Sequence, residues 1–326
     1  MYLAEDTNNL EQEPIRSGFG RGLKNAGEAD ERVVALCADL TDSTKMSDFA
    51  AAFPERYIEI GVAEQNLVTV ASGLAAMGKI PFAASYAAFN PGRNWEQIRT
   101  TIALNDQPVN VVGSHAGLSV GPDGATHQML EDIAIMRAMP NMVVVAPADS
   151  IEAEKATMAL ARDPRPSYMR LAREATPVFT TQKTPFELGK AYVLREGEDI
   201  TLFGTGTMTY QCLLAADILE KNNFSAEVVH VPTIKPLDTA TVLKSVHKTS
   251  LVITAEEGQR KGGLGGAIAE FLSETYPVHV HRIGVNDEFG QSGTPEELFK
   301  HYKLTAKDIA KKAEEAIHEY SRKRRL

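Results

Sequence analysis

Apolar residues fall into two patterns that alternate along the chain. Short runs with the character of β-strands occupy residues 33–37, 57–60, 80–84, 109–113, 142–146 and 168–171. Between them lie longer segments in which apolar residues recur every three or four positions, as in an amphipathic helix. Strands and helices that alternate in this way predict a parallel sheet with helices on both faces.

The second half repeats this alternation after an irregular segment rich in threonine and proline. Its strand-like runs are 199–203, 226–231, 251–255 and 278–283. The residues at 294–297, Thr-Pro-Glu-Glu, are typical of a helix start, and an amphipathic helix is predicted over 305–320. We therefore predict an α/β protein with two doubly wound domains. Its parts are an N-terminal extension at 1–13, a first domain at 14–174, a linker at 175–188 and a smaller second domain at 189–326.

Composition narrows the class of protein. The chain has 326 residues and a net charge of −9, which argues against a general binder of nucleic acid or of membrane surfaces. No apolar run reaches the roughly 18 residues that a membrane-spanning helix needs. The two cysteines, Cys37 and Cys212, are far apart, so we expect neither a disulfide framework nor a thiolate zinc site, and a cytoplasmic location fits. A basic cluster at 322–325 is predicted to be a solvated tail.

Clusters of polar residues follow most of the strands predicted in the first half. The clusters lie at 39–43, 61–65, 85–93 and 114–127, and Arg170 and Arg173 belong to the end of the last strand. In open α/β sheets, ligands bind beyond the carboxyl ends of the strands. We therefore expect a ligand site at this edge of the first sheet.

The richest of these clusters is the loop SHAGLSVGPDGATHQ at 114–128. Its glycines allow tight turns and the close approach of a ligand. His115 and His127 carry side chains that can exchange protons near neutral pH. The chain contains no GxxxxGK[ST] and no GxGxxG followed by an acid, so nucleotide binding is not predicted, and no serine nucleophile elbow is predicted either. No set of residues shows obvious metal-ligand spacing, and no metal site is predicted.

At Gly61-Val-Ala-Glu64-Gln-Asn66 the chain resembles the second half of transketolase, in which a pyrimidine-binding domain precedes a C-terminal domain. The further matching segments are PFAASYAAF at 81–89, GSHAGLSVGPDGATHQ at 113–128, LEDIAIMRAMPNMVVVAPAD at 130–149 and TIKPLD at 233–238. The resemblance spans about residues 14–315. The combination of segments is more specific than any one of them.

Glu64 opens a segment whose later residues are mostly small and apolar, which is an unusual place for a carboxylate. The resemblance implies that it bonds a ring nitrogen of the aminopyrimidine of thiamine diphosphate and so activates this cofactor. An apolar setting disfavours the charged form of a carboxyl group, so a proton shared with a partner nitrogen fits this position. The resemblance further implies that Phe89 stacks on the aminopyrimidine, that Tyr86 flanks it, and that His127 contacts cofactor and substrate during proton transfer.

Further residues match the residues with which transketolase binds its sugar-phosphate substrates. Those that match the phosphate-binding residues are Arg16, Ser43, His115 and Arg173. Arginine side chains suit this role because their forked donors fit phosphate oxygens. Asp123 matches a residue that bonds a sugar hydroxyl and helps to select its configuration. The implied activity is transfer of a two-carbon ketol unit from a ketose phosphate to an aldose phosphate, as in the pentose phosphate pathway.

One departure from the family concerns the diphosphate. Transketolases bind it, with its metal, through a GDG motif and a later asparagine in the first half of a longer chain, and no GDG occurs here. The resemblance therefore implies the C-terminal subunit of a split transketolase rather than a relic without cofactor, because the matching site residues are all present. An N-terminal partner subunit would carry the diphosphate-binding domain and hold most of the Mg²⁺ or Ca²⁺ ligands. Two copies of each chain are expected, with this chain pairing about a two-fold axis.

Other interpretations remain open. Beta subunits of 2-oxo-acid dehydrogenase complexes and deoxyxylulose-phosphate synthase share parts of the pattern, although Ser114-His115-Ala-Gly is more typical of transketolase. A relative that acts on an unusual or sulfonated sugar is a further alternative. The alternative from another class is a non-catalytic assembly subunit.

Overall fold

The structure is a computed structural model that describes residues 3–4 and 9–323. Parts of the predicted N-terminal extension and of the basic cluster at 322–325 therefore lie outside the described residues. Within the described part of the chain, no helix is long and apolar enough to cross a membrane.

Strands and helices alternate through both halves of the chain. The strands of the first half are β1 Gln12–Pro14, β2 Val33–Cys37, β3 Tyr57–Glu59, β4 Ile80–Tyr86, β5 Asn110–Ser114, β6 Val143–Val145, β7 Ser167–Arg170 and β8 Ala175–Pro177. Its helices are α1 Ile15–Ala29, α2 Ser47–Ala52, α3 Glu64–Ala76, α4 Trp95–Gln97 with a π-helix over Ile98–Ala103, α5 Asp132–Arg137 and α6 Ser150–Leu160. Short 3₁₀ segments cover Pro54–Arg56 and Leu118–Asp123.

The second half has the same character. Its strands are β9 Tyr192–Arg195, β10 Ile200–Gly204, β11 Ala226–His230, β12 Thr233–Lys235, β13 Val252–Gln259 and β14 Val280–Val285. Its helices are α7 Met208–Lys221, α8 Thr239–Thr249, α9 Leu264–Thr275, α10 Pro295–His301 and α11 Ala306–Lys323.

A seven-stranded sheet forms the centre of the first half, in the order β12-β6-β7-β5-β4-β2-β3. All neighbouring pairs in it are parallel except β12 with β6. Because β12 comes from the second half, the two halves are joined through one sheet. The second sheet has five strands in the order β14-β13-β10-β11-β9, with β9 as an antiparallel edge.

The predicted α/β class with two doubly wound domains is confirmed. The ten predicted strands are all present, nine of them with displaced ends, whereas β1, β8, β9 and β12 are not predicted by the pattern. The segment predicted as a linker contains a short strand, since β8 pairs with β1; three residues are too few to show a period of two. The predicted helix start is confirmed by a capping box between Thr294 and Glu297.

Close packing of α1 on α6 fixes one element of the site. A Cβ atom at Gly18 would lie 1.7 Å from the main-chain oxygen of Ser150, and one at Gly22 would lie 2.7 Å from that of Glu154. Glycine at these positions therefore allows the two helices to approach each other. The contact positions α1, which carries Arg16 in its first turn.

Candidate active site

The residues selected from the sequence gather at the carboxyl edge of the seven-stranded sheet. Tyr86 ends β4, His115 follows β5, and Arg173 comes shortly after β7. Glu64 begins α3, the helix that follows β3. The contacts described below connect these side chains in one group that runs from Glu64 through Phe89 to His115.

Glu64 is 1% exposed although it lies at the start of its helix. Ser85 Oγ donates to its Oε1 at 3.2 Å, and Arg93 Nη1 donates to its Oε2 at 2.6 Å. The side chain of Asn94 donates to the main-chain oxygen of Glu64 at 2.8 Å. The carboxylate is thus held by β4 and the segment after it.

Arg93 lies across the ring of Phe89. Its guanidinium carbon is 4.6 Å from the ring centroid, while its Nη1 bonds Glu64. The Arg93 side chain is 46% exposed. A planar cation therefore bridges an aromatic face and a buried carboxylate. These are the two features that a protonated aminopyrimidine would use.

Four rings cluster beside this acid. The ring centroids of Tyr86 and His115 are 3.9 Å apart, and those of Phe89 and His127 are 5.4 Å apart. Tyr86 also lies 6.3 Å from Phe89, with the two rings stacked. Sequence analysis assigned Phe89, Tyr86 and His127 to one cofactor, and the fold brings their side chains together.

Arg16 connects three separate segments of the chain. Its Nη1 donates to the main-chain oxygen of Ser43 at 2.6 Å, and its Nε donates to that of Arg173 at 3.1 Å. Burial lowers the pKa of Arg16, and the charge of Arg173 lowers it further. The two arginines lie near enough for their charges to interact, and such a pair suits an anion such as a phosphate.

His115 is held as a neutral ring. Its backbone has φ 56°, its Nδ1 lies 2.9 Å from Ser114 Oγ, and its Nε2 lies 3.5 Å from Arg16 Nη1. Because an arginine can only donate, Nε2 accepts, and the ring proton is on Nδ1. Burial, reinforced by the charges of Arg16 and Arg173, lowers the pKa of His115 to about 3.

Asp123 and His127 lie on the loop that follows β5. Arg173 Nη1 donates to the main-chain oxygen of Val120 at 2.9 Å and lies 3.4 Å from Asp123 Oδ1. His127 Nδ1 lies 2.9 Å from Thr126 Oγ1. Arg173 therefore contacts both the anion site around Arg16 and the loop that carries the other two polar side chains.

Sequence analysis missed two residues of the site, Ser85 and Arg93. Both lie within the polar segment predicted at 85–93, which was the signal available. Their roles depend on contact with Glu64, which is 21 and 29 residues away, respectively. Only the tertiary structure reveals these pairings.

The site fits the aminopyrimidine part of thiamine diphosphate. Glu64 offers a buried carboxylate that can share a proton with a ring nitrogen, and Phe89 offers a face on which a planar ring can stack. Within the described residues, no group of three or more His, Cys, Asp and Glu side chains is placed to hold a metal ion.

Two family profiles match the chain. The transketolase pyrimidine-binding domain matches residues 12–178, and the transketolase C-terminal domain matches residues 189–309. Together they account for most of the sequence, in the order that the resemblance implies.

Individual relatives agree with these profiles. A chain of Methanocaldococcus jannaschii, provisionally named a transketolase C-terminal section, is 44% identical over 93% of this chain and 96% of its own. A 6-deoxy-6-sulfo-D-fructose transketolase subunit of a Clostridium species is 41% identical over 94% of this chain and 95% of its own.

A solved structure described as a split gene transketolase, inactive beta4 tetramer, superposes with a TM-score of 0.88 at 43% identity. The match covers 94% of this chain and 98% of that one. The chain therefore belongs to the transketolase family, in which it is a subunit made of the pyrimidine-binding and C-terminal domains.

Proposed function

We propose that this chain is the C-terminal subunit of a transketolase that transfers a two-carbon ketol unit from a ketose phosphate to an aldose phosphate. The observation that carries the proposal is the pairing of a buried acid with a nearby anion site. Glu64 and Phe89 suit the aminopyrimidine, while Arg16 and Arg173 suit the phosphate of a sugar. An acid, a stacking face and a phosphate site on one sheet edge are the parts that ketol transfer requires from this half of the enzyme.

Glu64 would act on the cofactor. Thiamine diphosphate, when bound, supplies the nucleophilic carbon that carries the ketol unit. Glu64 would share its proton with a ring nitrogen, and its burial and bond to Ser85 keep water away and fix its orientation. Phe89 and Tyr86 would hold the ring plane in place.

Other side chains would act on the sugar. The phosphate would lie between Arg16 and Arg173, with the neutral ring of His115 and the Ser43 side chain at its margin. Asp123 would accept from a sugar hydroxyl. His127 would exchange protons with cofactor and substrate, since its ring touches that of Phe89.

An N-terminal partner chain would supply the diphosphate-binding domain and most of the Mg²⁺ or Ca²⁺ ligands. Exposed apolar side chains support a large interface on the Glu64 side. Val62 is 72% exposed, Met77 at the end of α3 is 82% exposed, and Leu104, after the π-helix packed on α3, is 73% exposed. Such side chains mark interaction surfaces. The related split gene transketolase described as an inactive beta4 tetramer is consistent with two-fold self-association of this chain without its partner.

The experiment compares the chain alone with the chain mixed with a diphosphate-binding chain that carries the GDG motif. Calorimetry with thiamine diphosphate and magnesium measures cofactor binding, and a coupled assay measures ketol transfer from a ketopentose phosphate to an aldopentose phosphate. We expect weak binding and no turnover for the chain alone. In the mixture we expect tight binding and turnover. Tight binding and turnover by this chain alone would overturn the split-enzyme proposal.

A sulfonated sugar is a second candidate substrate, favoured by the relative that is named for 6-deoxy-6-sulfo-D-fructose. A sulfonate presents three oxygens to an arginine pair, as a phosphate does. The panel of donors should therefore include the sulfonated ketose beside the phosphorylated one. The ratio of kcat/KM values between the two donors decides which is preferred.

A further inference from the structure

The loop at residues 116–128, the glycine loop, has two different sides. Asp123 is exposed and His127 is partly exposed, so both can reach a sugar. On the other side Leu118 is fully buried in a hydrophobic cluster whose other members, such as Leu298, come almost entirely from the second half of the chain. Gln128 donates to the main-chain oxygen of Gln291 at 3.0 Å. The loop that carries candidate substrate contacts is therefore packed on the C-terminal domain.

Glu257, in β13, makes the shortest polar contact between the glycine loop and the C-terminal domain. Its Oε1 accepts a hydrogen bond from the Ser119 main-chain nitrogen at 2.6 Å, and its Oε2 accepts one from Thr207 Oγ1 at 2.7 Å. Glu257 is 6% exposed. A buried carboxylate that accepts from a main-chain amide forms a charge-assisted bond, which is stronger than a neutral one.

The loop is shaped around this carboxylate. Gly117 has φ 88°, and a Cβ atom there would lie 2.3 Å from Glu257 Oε1. Gly121 and Gly124 also have positive φ, at 79° and 73°. A segment with three such glycines has little conformational preference of its own, so outside contacts must fix its position.

A second contact ties Glu257 to Arg170 at the end of β7, three residues before Arg173. The main-chain oxygen of Glu257 accepts from Arg170 Nη2 at 2.5 Å, and Arg170 Nη1 donates to Asp132 Oδ1 at 2.8 Å. Arg170 ends β7, and three residues later Arg173 donates to Val120 of the glycine loop. The loop is thus held from the C-terminal domain on one side and from β7 on the other.

We propose that Glu257 is a positioning residue for the sugar substrate. Through Ser119 it sets where the glycine loop places Asp123 and His127, and it gives the C-terminal domain a role in substrate binding. This inference rests on the proposed function, because the loop must contact the sugar for its position to matter. Small displacements of substrate-positioning groups weaken productive binding, so a loosened loop should be visible in kinetics.

The chain offers a matched control in the preceding residue. Glu256 is also buried, but its carboxylate accepts from the main-chain nitrogens of Leu264 and Gly265 at 2.8 and 2.9 Å, at the start of α9. Glu256→Gln should therefore affect α9 and leave the glycine loop unchanged. Both acids lie on the same strand, so general disturbance of β13 would appear in both variants.

Three substitutions at Glu257 separate its roles. Glu257→Met removes the acceptor, and Glu257→Asp keeps the charge but withdraws the oxygens by one methylene. Glu257→Gln can still accept from Ser119 and can donate to Thr207, whose hydroxyl is able to accept. We expect Gln to behave nearly as wild type. Asp provides the test should Met fail to fold.

Hydrogen–deuterium exchange on the full chain tests the contact without any need for activity. Peptides over 116–128 should exchange faster in Glu257→Met and Glu257→Asp than in wild type, and those over 264–268 should exchange faster only in Glu256→Gln. Unchanged exchange over 116–128 in both Met and Asp would overturn the proposal.

Kinetics of the enzyme assembled with its diphosphate-binding partner test the substrate role. We expect Glu257→Asp and Glu257→Met to raise KM for the aldose phosphate about ten-fold or more, with a smaller change in kcat, and Gln to restore the wild-type KM. Faster loop exchange with an unchanged KM would show that Glu257 is only structural. Absence of ketol transfer in the wild-type assembly would instead refute the proposed function and with it the substrate role, while the exchange result would still decide whether Glu257 holds the loop.

Discussion

Arg93 and Glu64 form an ion pair directly beside the ring of Phe89. Arg93 Nη1 is 2.6 Å from Glu64 Oε2, and its guanidinium carbon is 4.6 Å from the Phe89 centroid. If Glu64 and Phe89 receive the aminopyrimidine, Arg93 occupies the same two partners and must turn away first. Its side chain is 46% exposed, so solvent is available to receive it.

Replacing Arg93 tests this exchange of partners. Arg93→Met keeps an unbranched side chain and removes the cation, so Glu64 loses a partner in the chain alone. We expect a stability loss of about 1–2 kcal/mol, less than for a fully buried pair because Arg93 is half exposed. In the assembled enzyme, cofactor affinity should stay the same or rise, since no cation competes for Glu64.

Urea denaturation and calorimetry measure these two effects. Arg99→Met, at an exposed position of the π-helix, is the control and should change neither. Weaker cofactor binding by Arg93→Met would show that Arg93 binds the cofactor, rather than occupying its site when the cofactor is absent.

Glu64→Gln should preserve the fold and abolish most activity of the assembled enzyme. The amide oxygen can still accept from Arg93 or Ser85, but the side chain cannot exchange a proton with a ring nitrogen. We expect activity to fall by at least the ~10²–10⁴-fold that is typical of acid–base groups. Circular dichroism should match wild type, and the exposed Glu96→Gln should retain activity. Turnover within a few-fold of wild type would refute the role of Glu64.

Local sequence pattern was sufficient for the parts of the fold and site that depend on neighbours in the chain. Alternating apolar runs predicted ten of the twelve strands in the two large sheets, and a short segment such as 81–89 contains both Tyr86 and Phe89. The glycines of the loop at 114–128 indicated that its backbone is irregular. In each case the physical signal, a period or a residue type, lies within about ten residues.

Contacts between distant segments left no such signal. Arg93 is 29 residues from Glu64, and Glu257 is 138 residues from Ser119. Strand β12 is three residues long, too short for a period, and its place beside β6 depends on the packing of both halves. When the role of a residue is to position another residue, that role can be recognised only in the fold, where the two lie together.

Arg16→Met should weaken the binding of phosphorylated substrates far more than that of unphosphorylated ones. A bond to a charged group contributes roughly 1.5–3 kcal/mol, which corresponds to about ten-fold to over a hundred-fold in affinity. The change should appear mainly in KM, since a contact made equally in the ground and transition states alters binding rather than kcat. Comparison of an aldopentose phosphate with the free sugar measures it, with the exposed Arg162→Met as control. Equal losses for both substrates would mean that Arg16 is structural.

The lowered pKa of His115 makes stability depend on pH. The folded chain holds this ring neutral with a pKa of about 3, whereas an unfolded histidine titrates near ~6.5. The unfolded state therefore binds the extra proton, so this contribution is complete above pH ~6.5 and is lost as pH falls toward 3. The slope can reach about 1.4 kcal/mol per pH unit.

His115→Asn tests this dependence, because asparagine tolerates the positive φ that His115 adopts. Between pH 7 and 5, urea denaturation should show a shallower loss of stability for this variant than for wild type. The exposed His301→Asn should leave the slope unchanged. Parallel curves for wild type and His115→Asn would contradict a depressed pKa for His115.

The exposed face of α3 is where we expect another chain to pack. Gly73 lies on it, and a Cβ atom at this position would meet nothing within 4 Å. In the chain alone, Gly73→Ala should raise stability by about 0.5–1 kcal/mol, because glycine disfavours a helix interior. A larger polar side chain should also fit the free chain. In an obligate interface of more than ~2,000 Å², however, a buried unpaired carboxylate would cost several kcal/mol.

Gly73→Glu should therefore fold normally but fail to assemble, with itself or with the diphosphate-binding chain. Thermal melting checks the fold, and light scattering with sedimentation measures the assembly state at equal concentrations. Ala51→Glu, at an exposed position of α2, adds the same charge away from this face and should assemble as wild type. Assembly of Gly73→Glu with wild-type affinity would show that α3 stays exposed in the complex, and the partner chain would then have to reach Glu64 from another side.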